Sequence, residues 1–106
     1  MAVTPSQLIP PAFVPNAATT AYTSTDAKTR IDYMAFANQS AANVTLTVRL
    51  GSAASSPIII AQTILPGETY LCPEVVGALL APGEVIRYEC SAAAALFGSA
   101  NGVQFT

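Results

Sequence analysis

Hydrophobic and polar positions alternate most cleanly in Val44-Thr-Leu-Thr-Val-Arg-Leu50. Val44, Leu46, Val48 and Leu50 fall on one side and Thr45, Thr47 and Arg49 on the other, which is the period of a half-buried strand. Glu84-Val-Ile-Arg-Tyr-Glu-Cys90 repeats the pattern, with Ile86, Tyr88 and Cys90 on one face and Arg87 and Glu89 on the other. Thr29 to Asn38 is apolar on much of both faces and predicts a more buried strand. The β-branched run from Ile58 to Leu65, the Thr- and Tyr-rich stretch Thr19 to Thr23, the short Glu68 to Cys72 and the final Leu96 to Phe105 complete the set. Gly98 and Gly102 in the last of these mark bulges or close backbone approaches.

Turn chemistry separates these runs. Leu65-Pro-Gly-Glu68 and Ala81-Pro-Gly-Glu84 are two copies of one turn. Proline presets φ at the first central position and glycine supplies positive φ at the second, so both predict type II turns. Asp26-Ala-Lys28 predicts a turn, 38–43 a polar loop and 51–57 a flexible connection. Pro73 with Glu74 behind it allows a single helical turn, and Gly77 keeps it short; Glu74 is there a favourable partner for the helix dipole. The sum is about seven strands with no amphipathic helix: an all-β chain, an antiparallel β-sandwich or a jelly-roll-like barrel.

Residues 1–18 stand apart from the sandwich domain of residues 19–106. Pro5, Pro10, Pro11 and Pro15 remove amide donors and fix φ, so an extended N-terminal arm is expected, with neither a helix nor a central strand. Yet the arm carries Leu8, Ile9, Phe13 and Val14, side chains that a solvated linker avoids. They need a surface, either the arm's own domain or a neighbouring subunit, and they are the candidate protein-interface residues.

Composition sharpens this. The chain has 106 residues, of which 52% are hydrophobic and 9% charged. Over the folded surface that is roughly one charge per 560 Å², against about one per 210 Å² for an average domain. Uncharged patches of the kind that mark interaction sites follow. There is no histidine, which removes Ser-His-Asp and Cys-His catalysis and the commonest zinc ligand. The net charge is −2, and Lys28, Arg30, Arg49 and Arg87 form no run that could track a phosphate backbone. No apolar stretch approaches the roughly 20 residues of a spanning helix. The N-terminus lacks a basic region before an apolar one, so synthesis in the cytoplasm of a host cell is expected. Cys72 and Cys90 are expected as two buried thiols; a mutual disulfide would need their strands to be neighbours, and cytoplasmic synthesis argues against it. The sequons at Asn38 and Asn43 are read as chance. No catalytic residue, cofactor or metal is expected.

The order of motifs is more telling than any one of them. Thr20-Ala-Tyr-Thr23, a strand containing Ile31, Asn38-Gln-Ser40 and Val44-Thr-Leu-Thr-Val48 come first. Ile64-Leu-Pro-Gly-Glu-Thr69, Leu79, Gly83-Glu-Val-Ile-Arg87 and Ser91-Ala-Ala-Ala-Ala-Leu96 follow. Over residues 19–106 this resembles the small all-β virion structural proteins of tailed bacteriophages, of the capsid decoration or cement type. The resemblance implies a β-sandwich that assembles, often as a homotrimer, on the virion. Its partner there is the major capsid protein, bound by shape and apolar contact without catalysis. A head–tail connector, tail or fibre-base component is the nearest alternative. A carbohydrate-binding module would need exposed aromatics, for which Tyr22, Tyr33, Tyr70 and Tyr88 are the candidates, Tyr33 and Tyr88 reading rather as core or interface. Glycosidase chemistry would need a carboxylate pair, for which only Glu68 and Glu84 after their turns stand out; a solvated Glu after a turn is the stronger reading.

Overall fold

Alternating side chains commit this chain to sheets, and the apolar faces of two sheets need each other. The computed structural model describes residues 3–24, 28–52 and 58–105. The expected turn at Asp26-Ala-Lys28 and most of the 51–57 connection lie outside the described residues. The described residues form nine strands and no helix. They are β1 (Val3–Phe13), β2 (Thr19–Thr23), β3 (Lys28–Asn38), β4 (Val44–Gly51), β5 (Ile58–Ile64), β6 (Thr69–Tyr70), β7 (Leu79–Leu80), β8 (Val85–Cys90) and β9 (Leu96–Phe105).

All pairings are antiparallel. Sheet A runs β1-β9-β3-β6, with β7 also on β3, and sheet B runs β2-β8-β4-β5. The pairs nest: β1 with β9, β2 with β8, β3 with β6 and β7, β4 with β5. One core cluster joins the sheets. Ile31, Met34 and Phe36 from β3 and Leu96 and Ala100 from β9 meet Leu46, Val48, Ile60, Ile64, Ile86 and Tyr88 from sheet B. The Phe36 and Tyr88 rings cross edge to face at 6.0 Å.

The N-terminal segment, expected as an extended arm on its own domain or on a neighbouring subunit, lies on its own domain and is part of the sandwich. Residues 3–13 form an edge strand on β9, and Leu8, Ile9 and Val14 are buried in the chain's own core. The prolines exclude a helix and a central strand, and they are compatible with this position for a physical reason. An edge strand needs its amides on one side only, so prolines cost it little. The register shifts between Gln7 and Ile9 and between Ile9 and Ala12 absorb the Pro10-Pro11 step. Val14 N–H then donates to Leu96 O at 2.8 Å and Cys90 N–H to Pro15 O at 3.0 Å, which fixes the crossing to β2. Burial of three aliphatic side chains contributes on the order of 5 kcal/mol. Removing residues 1–15 should therefore unfold the chain; a retained cooperative thermal transition by circular dichroism would contradict this.

The two Pro-Gly turns have the expected geometry, with Gly67 at φ 78° and Gly83 at φ 91°. In each turn the Glu amide donates to the first residue's carbonyl, and the Glu carboxylate accepts that residue's N–H in return. The carboxylate contacts are Leu65 N–H to Glu68 Oε1 at 3.0 Å and Ala81 N–H to Glu84 Oε1 at 2.6 Å. Residues 73–77 form hydrogen-bonded turns where a helical turn was expected, and the chain re-enters sheet A as β7.

Two positions set the sheet geometry. A Cβ on Gly98 would lie 1.8 Å from the Ala35 carbonyl oxygen, and one on Gly102 would lie 2.1 Å from that of Arg30. Only glycine lets β9 approach β3 this closely. Asn38, buried at the end of β3, uses its whole amide. Nδ2 donates to Ala42 O at 2.8 Å and Ile64 O at 2.9 Å, while Oδ1 accepts from Ser40 N–H and its hydroxyl. It ties the 39–43 loop and the end of β5 to sheet A.

Chemical denaturation should rank these sites. Gly98→Ala should cost about 3 kcal/mol or more, because backbone must move. Gly67→Ala, in open space but at positive φ, should cost about 1 kcal/mol. Asn38→Asp keeps the shape but points a carboxylate at two carbonyl oxygens, and should cost about 3 kcal/mol. Equal stability of the three variants would contradict the assignment.

Candidate interaction surface

The outward face of sheet A is built by the register of β1, β9 and β3. Alternation along β9 sends Leu96 and Ala100 to the core and Phe97, Ser99, Asn101, Val103 and Phe105 outward. Across the strands, Phe97 sits between Phe13 and Ala37, Asn101 between Gln7 and Tyr33, Val103 between Pro5 and Arg30, and Phe105 between Val3 and Lys28. The rows are mostly apolar. Phe13, Tyr33 and Phe97 are 46%, 46% and 39% exposed, which is unusual for aromatics in a chain this short of polar surface. Phe13 and Phe97 pack edge to face with centroids 5.1 Å apart.

Charge is confined to one end of this face. Arg30 Nε donates to Asp32 Oδ1 at 2.7 Å, and its guanidinium lies 5.8 Å from the Phe105 ring centroid. The ion pair raises the Arg30 pKa and, being exposed, adds little to stability. The register shift between Ile31 and Tyr33 turns Asp32 out of line. It leaves a shallow open depression lined by Pro5, Gln7, Asp32, Asn101 and Val103.

Sheet B presents a different outer face. Thr20, Arg87 and Arg49 lie in one row, and Glu89, Thr47 and Ala61 in the next. Arg49 and Arg87, distant in sequence, are thus direct cross-strand neighbours, a pairing that sequence spacing could not disclose. The outer face of sheet A carries aromatics with its charges at one end, and that of sheet B carries hydroxyls with charges among them.

Of the four candidate interface residues, only Phe13 reaches this surface; Leu8, Ile9 and Val14 are core. The candidate sugar-binding aromatics are not brought together. Tyr88 is buried, Tyr22 bonds Thr29 Oγ1 at 3.0 Å between the sheets, Tyr70 donates to the Glu74 carboxylate, and Tyr33 alone is open. Glu74 serves that phenol and no helix end. Burial and the Glu74 hydrogen bond push the Tyr70 phenol up to about 12. Glu68 and Glu84 belong to separate turns, each occupied with its own turn amide. The aromatic face of sheet A was missed because sequence gives Leu96 to Phe105 as a strand without its neighbours, and the rows form only once β1 and β3 pair on either side of it. Family models, curated proteins and solved structures show no match to this chain.

Cys72 and Cys90 are free buried thiols, as expected. Burial, and secondarily the Glu74 carboxylate, push the Cys72 thiol up to about 12. The unfolded thiol titrates near 8.5. The folded state therefore keeps its proton longer, and this stabilisation is full below pH about 8.5 and lost as pH rises toward 12. An uncharged alkylating reagent at pH 8 should leave Cys72 unmodified in the native chain and modify it after denaturation. Rapid native labelling of Cys72 would contradict its burial.

Proposed function

We propose that the chain is a structural subunit of a tailed-bacteriophage virion, a capsid decoration or cement protein with a jelly-roll sandwich fold. The nested pairing supports the fold assignment. A ribbon whose first strand pairs with its last, second with second-last and so on, rolled into two sheets, gives the strand orders β1-β9-β3-β6 and β2-β8-β4-β5. Jelly rolls serve capsids and lectins alike, so the surface has to carry the functional reading.

The observation that carries it is the outward face of sheet A, where Phe13, Tyr33, Phe97, Val103 and Phe105 line up in cross-strand rows. A flat apolar sheet face with its charges at one end fits a broad protein surface better than a small ligand. On a virion shell that surface is the major capsid protein. Each bound subunit covers its own apolar face and ties neighbouring shell subunits together against internal pressure. The Glu68 and Glu84 carboxylates hold turns in this reading and take no part in chemistry.

The test is co-sedimentation with heads of the encoding phage that lack the protein. Wild type should pellet in a copy number that scales with the shell, as opposed to the single neck. Phe97→Glu should reduce binding at least tenfold while keeping a cooperative thermal transition, lowered by the lost Phe13 contact. Wild-type chain remaining in the supernatant, or full binding by Phe97→Glu, would refute the assignment of this face.

A further inference from the structure

Four sheet edges exist among the described residues, and three are protected. β1 carries Pro5, Pro10 and Pro11 and two register shifts. β6 and β7 are two residues long. β2 is short and shifts register between Thr20 and Tyr22. These are the devices by which sheets avoid pairing with other chains.

β5 is the exception. It ends sheet B, carries no charge and no proline, and is in regular register with β4 over residues 60–64. Its one irregularity lies at its start, beside Ile58. Ala61, Gln62 and Thr63 are exposed.

The same side of the two sheets also carries exposed aliphatic side chains. β1 and β2 contact each other at one side of the two sheets, and the tight turn from β5 to β6 closes the other. On that second side Ile58, Ile59, Leu65, Leu71, Val76 and Leu79 are 39% to 62% exposed. Their exposed area is roughly 600 Å² per copy, so a symmetric pair could cover at most about 1,200 Å² of it, the size at which specific interfaces begin.

We propose that β5 pairs antiparallel with β5 of a second copy of this chain across a twofold axis, extending sheet B into one eight-stranded sheet. The strand is self-complementary. Centred on Ala61, Ile58 faces Ile64, Ile59 faces Thr63 and Ile60 faces Gln62, with no charge opposing a like charge. The pairing satisfies the open edge and buries the aliphatic flank, while the outward face of sheet A stays free for the scaffold. It gives the assembly reading its self-partner, rests on that reading, and makes the elementary unit a dimer where the sequence resemblance implies a trimer.

Light scattering on the full chain, with two variants, tests this. Ala61 is exposed and faces outward beside Thr47, so Ala61→Lys leaves the core intact and sets two ammonium groups against each other at the axis. Wild type should run at twice its monomer mass, and Ala61→Lys at the monomer mass with an unchanged circular dichroism spectrum and a thermal transition that no longer depends on protein concentration. Ala61→Cys should yield a dimer on mild oxidation, since the native thiols are buried. A wild-type trimer, a monomer, or a dimer that survives Ala61→Lys and does not cross-link through Ala61→Cys would each overturn the pairing. Head co-sedimentation by Ala61→Lys separates the readings: retained binding keeps the scaffold assignment whatever the fate of the dimer.

Discussion

The close approach of β9 to β3 is the constraint on which the rest depends. β9 is paired on both sides, by β3 and by β1, and Gly98 and Gly102 leave no room for a side chain against the β3 carbonyls. With β9 seated, alternation sends Leu96 and Ala100 into the core and Phe97, Val103 and Phe105 to the surface. β1 then has a strand to pair with, and Leu8, Ile9 and Val14 complete the interior. A bulkier residue at either glycine would disturb the core and the apolar face together.

Much of the architecture was legible before any coordinates. The alternation from Val44 to Leu50 and from Glu84 to Cys90, and the two Pro-Gly turns, are local signals whose physics needs no tertiary partner. Glu68 and Glu84, read as solvated, also accept the first amide of their own turns. What escaped was non-local. Prolines kept residues 3–13 out of a helix or a central strand, but a proline's cost depends on whether a strand lies beyond it, and sequence does not say which strand is an edge, so the pairing with β9 was not legible. Leu79 and Leu80 pair with β3 only because turns at 73–77 fold them back. Asn38 read as part of a polar loop, yet its amide bridges two sheets through the Ile64 carbonyl.

The surface was legible only in aggregate. Scarce charge implied apolar patches but not where they lie. The structure divides the surface into three: a threonine- and arginine-bearing face on sheet B, an aromatic face on sheet A, and an aliphatic flank at β5. Such a division suits the proposed assembly, in which burying each apolar region separately would let shell and sister copies bind without competing.

Hydroxyl-radical footprinting of the chain free and on phage heads tests this account most directly. Phe13, Tyr33 and Phe97 should lose reactivity on the particle while the residues of the outer face of sheet B keep theirs. Equal labelling of the three aromatics in both states would mean that the apolar face of sheet A meets water wherever the protein works, and the account would be wrong.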